Sequence, residues 1–342
     1  MKSQLKIERS LKILGNRTAV VIPVFLNPQK DNTLSTALLR ETVIQYLHEI
    51  DNPANICLSV DGKNCGAEIA EGIASEYSLS HVIGEQNLGK LSPVRNGASF
   101  VNDKLDVDYT AFIDQDGDHT ANELINLIRL AEHMKDDTSE ENLLILGRRI
   151  SKHHPLGFFR GELEELADRL LLDAMQFYSA HHNKPLRFQY ATVLEEYPDF
   201  HSGYKLYYKV ALKKSLLTAP RLMECSSDAY YRHSVECVMT LEAILSGAMM
   251  GIVNRSTLNQ QPVSAFADLK RNRMVADQII WPCKRLGIPP MYIKQWMANH
   301  LPRLLLNTLV PEGKNELIEI QNMVFQAFDI PETETIQRPL FL

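Results

Sequence analysis

The sequence predicts an α/β fold, a mostly parallel sheet with helices on both faces, followed by a helical C-terminal extension. Two observations carry this. Short β-branched runs alternate with amphipathic stretches through the first half of the chain. Beyond about residue 266, helical patterns are punctuated by Pro282, Pro289, Pro290, Pro302 and Pro311.

Strands are expected at 18 to 26 (TAVVIPVFL), 55 to 60, 80 to 84, 109 to 113 (YTAFI) and 143 to 147. Between them, Leu34, Leu38, Val43, Leu47 and Ile50 share one helical face, as do Leu124, Leu127, Ile128 and Ala131. Thr120 and Glu123 have the spacing of a capping box. From 158 the chain reads as helix, passes a His/Pro/Tyr-rich irregular stretch near 181 to 203, and resumes with YKLYYKVALK as a strand running into a helix. A further helix is expected over 228 to 246, with Gly247 near its end.

The 342 residues suffice for a large core, and the 45% apolar and 23% charged fractions are those of an ordinary globular protein. A net charge of -6 gives no reason to concentrate on polyanions, so no nucleic-acid partner is expected. Five cysteines without C-x-x-C spacing suggest neither a disulfide framework nor structural zinc. The first apolar run, Ala19 to Leu26, is short and interrupted by Pro23, so it reads as a strand rather than a leader. No window reaches the roughly 18 apolar residues of a membrane span. The expectation is a cytoplasmic protein, with peripheral attachment at the inner membrane face and homo-oligomerisation left open.

The segment Asp114-Gln115-Asp116-Gly117-Asp118-His119 follows the apolar strand YTAFI. Three carboxylates this close repel one another unless a cation sits among them, and such hard oxygen donors suit Mg²⁺ or Mn²⁺, whose shell is completed by substrate phosphates. A solvated acidic turn is the plainer alternative. An EF-hand is excluded, because His119 and Ile125 stand where its loop needs Gly and Glu.

Gly84 to Lys90 matches G-x-x-x-x-G-K, but Leu91 replaces the hydroxyl residue that would bind Mg²⁺. What survives is a cation, Lys90, entering a helix with Ser92 as expected cap and Pro93 in its first turn, an arrangement that attracts phosphate. Asp61 ends another strand, so Asp61 and Asp114 to Asp118 are expected to face one cleft beyond the strands' carboxyl ends.

Together with VVIPVFLN at 20 to 27, LGRR at 146 to 149 and DFHSGYKLY at 199 to 207, these segments resemble the family-2 glycosyltransferases of GT-A fold, in particular the polyprenyl- and dolichyl-phosphate sugar synthases without their membrane helices. The resemblance implies a GT-A domain over 1–265, with a nucleotide-binding half at about 18–150 and an acceptor half at about 151–265, and a helical extension over 266–342. It implies a UDP- or GDP-sugar donor, with Pro23, Asp61, Lys90, Arg95 and Asp114 near the nucleotide sugar. Asp114 and Asp116 match the metal-holding D-x-D pair, with Asp118 as third ligand and Asp116 as the central catalytic group. Arg149, Arg160, Asp199 and Lys205 fall on the acceptor side. Glu236 or Asp228 is the candidate general base, on the likeness of an acidic helix near the acceptor.

The sequence departs from the family where Gly117 replaces a common Leu and where FFRGELEELADRLLL only loosely matches the segment that meets an acceptor phosphate. Arg160 fits, but Glu164 falls where a hydroxyl would be expected and its charge would repel a phosphate, so the acceptor is a polyprenyl phosphate, a glycan or a small molecule. The competing functions are a P-loop-like nucleotide hydrolase and a non-catalytic nucleotide-sugar-binding protein. The Gly-rich G-x-G-x-R loop of sugar nucleotidyltransferases is missing. The His153-His154 and His181-His182 pairs read as loop histidines, and Trp281 and Trp296 as packing residues.

Overall fold

A computed structural model describes residues 2–191, 198–257 and 270–336. Its centre is a seven-stranded sheet of β1 (Thr18–Val24), β2 (Ile56–Val60), β3 (Ser80–Ile83), β4 (Tyr109–Phe112), β5 (Leu143–Arg149), β6 (Lys205–Tyr208) and β7 (Met249–Arg255), in the order β3-β2-β1-β4-β6-β5-β7. All neighbours are parallel except β6, which runs antiparallel to β4 and β5. This is the mostly parallel α/β sheet with helices on both faces that the sequence predicts. One edge of it gathers the carboxyl ends of six strands and the amino end of β6.

Both faces are covered, and successive β1 residues show why the run is apolar from Ala19 to Val24. Ala19 and Val21 enter one core, and Val20, Ile22 and Val24 enter the other. The second core is closed by α2 (Thr33–Leu47), α3 (Ala67–Tyr77) and α5 (Leu124–Thr138), through Val43, Ile73 and Leu127. The first is closed by α4 (Leu91–Lys104), α7 (Phe158–His182) and α9 (Val235–Leu245), which bury Val94, Leu166 and Val238. Two short helices, α6 (His153–Leu156) and α8 (Lys209–Ser215), flank α7 and β6 in sequence.

The C-terminal helices α10 (Arg271–Leu286), α11 (Pro290–His300), α12 (Leu306–Leu309) and α13 (Gly313–Gln326) add Ile279, Ile293, Leu306 and Val324 to that same first core. Trp281 is wholly buried and its Nε1 donates to Arg221 O at 2.9 Å, and Trp296 is buried as well. The expected division at 265/266 lies outside the described residues.

Several local expectations are corrected. An N-terminal helix, α1 (Lys2–Arg17), was not anticipated; it buries Leu14 and pairs Arg9 with Asp136 of α5. Ser92 is not a cap, since α4 already begins at Leu91. Thr120 Oγ1 bonds the Glu123 carboxylate at 3.0 Å instead of capping the backbone, because Glu123 also receives the Ser256 amide at 2.8 Å. The helix expected from 228 is split into a π turn, Ala229–His233, and α9. Pro282 lies inside α10 without ending it, and both His pairs lie on helices. All five cysteines are free thiols. Among the described residues no helix is long and apolar enough to cross a membrane.

Candidate active site

A cavity of about 550 Å³ opens at the edge where the strands end. It is lined by Pro23, Asp61, Lys90, Asp114, Asp116, Asp118, Arg149, Arg160 and Glu236, which is where crevices of open α/β sheets lie. Four expected residues do not line it. Arg95 faces away and donates to Thr218 O. Asp228 is an exposed partner of Arg232, 2.8 Å away. Asp199 and Lys205 are wholly buried behind the wall.

Asp61 directly follows β2, and its carboxylate accepts the amides of Leu88 at 3.0 Å and Gly89 at 2.9 Å. Burial pushes its carboxyl up, while the two amides and Arg232 work in the other direction. Arg232, in the π turn, clasps the same loop by donating to Asn87 O at 2.9 Å and Asn87 Oδ1 at 2.7 Å. Gly89 is required here, because its φ is +119° and an added Cβ would stand 2.6 Å from Tyr231 O. Two amides of the Gly84–Lys90 loop are thus spent on Asp61. A Walker A loop needs its amides for phosphate, so the geometry disfavours the P-loop alternative.

Lys90 bridges two carboxylates, Asp114 Oδ1 at 2.5 Å and Glu236 Oε1 at 2.8 Å. Burial opposes its charge, but Asp114 and Glu236 outweigh burial and hold the ammonium above its ordinary value. Burial likewise opposes ionisation of Asp114 and Glu236, and Lys90 reverses the balance in both.

The turn after β4 is fixed by groups that the sequence did not single out. His119 Nδ1 accepts the Asp114 amide at 2.9 Å, which puts the proton of the neutral ring on Nε2. Burial, aided by Arg255, lowers the imidazole to about 3 and keeps it neutral. Its ring stacks on Tyr204 with centroids 4.9 Å apart. Gln115 joins the turn to the end of the first strand by accepting Phe25 N at 3.0 Å and donating to Phe25 O at 2.8 Å. Arg255, at the end of β7, donates to Asp118 Oδ2 and to Asp118 O, each at 3.0 Å.

Asp116 forms no ion pair among the described residues, and its Oδ1 accepts the Asp118 amide at 3.2 Å. Burial, then the Asp114 charge, raises its carboxyl to about 7. Among the described residues Asp118 Oδ1 is buried without a hydrogen-bond partner. Oxygen donors with charge left unbalanced are what a divalent cation requires, so the donor set fits one. Among the described residues no three His, Cys, Asp or Glu side chains already converge on a metal position. An ion here would share its shell with ligand oxygens, as Mg²⁺ commonly does.

Among the residues expected on the acceptor side, Arg149 is gripped by Asp199 at 2.6 Å and Glu164 at 2.7 Å, and Arg160 donates to Glu164 at 2.8 Å. Lys152 pairs with Asp168 at 2.5 Å, and His201 Nδ1 meets the same carboxylate at 2.7 Å. Glu164 is therefore a charge-balanced member of a buried network. Pairs between β5, α7 and the 199–201 segment join residues up to 50 positions apart, and no local pattern announces them.

Comparison with protein-family models matches none, and no curated protein matches the sequence. Among solved structures, S. aureus TarS 1-349 is 14% identical with a TM-score of 0.41, over 91% of this chain and 81% of that one. The 4-diphosphocytidyl-2C-methyl-D-erythritol synthase of Anaerococcus prevotii DSM 20548 is 9% identical, with a TM-score of 0.39 over 78% and 96%. Mouse xyloside xylosyltransferase 1 in its apo form is 12% identical, with a TM-score of 0.35 over 77% and 93%.

Proposed function

We propose that the chain is a metal-dependent glycosyltransferase of the family-2 type, moving a sugar from a UDP- or GDP-sugar to an acceptor. The observation that carries this reading is the joint placement of Asp61, Lys90, Asp114, Asp116 and Asp118 in one cavity, with Asp116 forming no ion pair among the described residues.

In this reading Asp114 and Asp116 hold Mg²⁺ or Mn²⁺, with Asp118 Oδ1 within the same turn. The ion supplies Lewis-acid neutralisation of the departing nucleoside diphosphate. Lys90 contributes a fixed positive charge beside the leaving group. Asp61 shapes the nucleotide side by holding the 88–89 amides in place. His119 and Arg255 fix the carboxylate turn, so little reorganisation is needed as charge develops.

The test is release of nucleoside diphosphate from a panel of UDP- and GDP-sugars with Mg²⁺ or Mn²⁺, beside ATP and GTP. The reading expects slow turnover of a sugar nucleotide and inert triphosphates. Triphosphate hydrolysis with every sugar nucleotide untouched contradicts it.

A further inference from the structure

His233 closes the π turn and lines the cavity in company with Glu236 and Lys90. Its Nδ1 lies 2.6 Å from Asp277 Oδ2, and Asp277 is 1% exposed on α10. A carboxylate only accepts, so Nδ1 carries the proton and the neutral ring keeps its lone pair on Nε2. That nitrogen makes no hydrogen bond among the described residues, and the side chain retains 11% exposure. Asp277 is itself fixed, by Arg273 at 2.6 Å and through its carbonyl by Ser234 Oγ at 3.0 Å. The arrangement is a base oriented by a buried carboxylate, the relation that sets the imidazole tautomer in a hydrolase triad.

We infer that His233 is the general base of the transfer, that Asp277 is its positioning residue, and that the acceptor is therefore an alcohol. This rests on the glycosyl-transfer reading. The acceptor O–H proton passes to His233 Nε2 as the acceptor oxygen bonds the anomeric carbon. The bond from that carbon to the phosphate oxygen breaks, and its electron pair leaves with the nucleoside diphosphate.

Three observations set His233 ahead of the other candidates. Glu236 Oε1 is held by Lys90 at 2.8 Å, and Asp228 lies outside the cavity. His201 has a similar Asp partner, but its Nε2 is sealed from solvent. On the acceptor side, Arg149, Lys152 and Arg160 are already matched by Glu164, Asp168 and Asp199, which suits a neutral hydroxyl better than a phosphate. The inference also gives α10 a use in the site, because it carries Asp277.

The test uses water in place of the acceptor alcohol. Hydrolysis of the UDP- and GDP-sugar panel is followed in the full chain with Mn²⁺, and donor affinity is measured separately by titration. His233→Ala is expected to slow hydrolysis by about 100-fold or more, the usual contribution of a general base. Donor affinity should stay within about threefold, and added imidazole should restore part of the rate, which a structural role would not produce. If His233→Ala loses donor affinity, His233→Gln decides, with the same slowing expected at retained affinity. Turnover within about twofold of wild type, or a loss at retained donor affinity that imidazole never relieves, overturns the assignment. A wild-type chain inert toward every sugar nucleotide overturns the transferase reading as well, whereas active wild type with active variants overturns the base alone.

Discussion

The Lys90 ammonium lies 2.5 Å from Asp114 Oδ1 and so ties the start of α4 to the turn that follows β4. The same nitrogen reaches Glu236 at 2.8 Å, so one cation separates two carboxylates that would otherwise repel across the cavity.

Lys90→Met leaves those two charges facing each other. About a third of the side chain is exposed, so the expected loss is about 1–2 kcal/mol rather than that of a fully buried pair. Millimolar Mg²⁺ should recover part of it, because a divalent ion can take over between the carboxylates. Thermal unfolding with and without Mg²⁺ measures both effects.

Arg255 is 1% exposed and serves both the carboxylate and the carbonyl of Asp118. Arg255→Met is expected to cost about 3–5 kcal/mol in urea unfolding, since it strands a buried charge. Arg255→Lys should rescue little of this, because a point-charge ammonium cannot reproduce the guanidinium fork.

Asp61→Asn retains one carbonyl oxygen for two amide donors, and its NH₂ would face the other amide. Amide hydrogen exchange at Leu88 and Gly89 should accelerate, with a stability loss of about 1–3 kcal/mol. Unchanged protection at both amides would show that Asp61 does not hold the loop.

Lys205 is wholly buried, and burial lowers its ammonium to about 8. The unfolded chain keeps that proton up to about 10.4, so below pH 8 both states are charged and the burial penalty is fully felt. As the pH rises from 8 to about 10.4 the folded chain has already released the proton, and the penalty fades. The stability of wild type relative to Lys205→Met should therefore improve by on the order of 3 kcal/mol between pH 7 and 10.5. Paired denaturant titrations across that range test it.

The sheet was legible because its signal is local. The β1 run TAVVIPV is apolar from Ala19 onward since both faces are covered; Asp61 follows β2 directly, and Asp114 stands one residue beyond β4, after the buried Ile113. Strand ends such as these place acidic residues in a cleft without any knowledge of pairing. The rest depends on distant partners. Asp199 and Lys205 match a sequence pattern, yet they sit behind the wall, where Asp199 holds Arg149 and Lys205 donates to Phe200 O at 3.1 Å. His119 was visible as a residue but not as the acceptor of the Asp114 amide. Arg255 lies 137 positions from Asp118, and nothing near it in sequence marks it as a partner. The π turn at Ala229–His233 inserts one residue into an otherwise helical pattern. A 3.6-residue periodicity therefore joined it to α9 and left His233 unremarked.

The most direct test of the central claim is calorimetric titration of the UDP- and GDP-sugar panel into wild type and Asp116→Asn, with Mn²⁺ and with the metal chelated. The account predicts that wild type binds a sugar nucleotide tightly only with Mn²⁺, and that Asp116→Asn abolishes this dependence while unfolding normally. Equal affinity with and without the metal, or a wild-type metal response in Asp116→Asn, would contradict it.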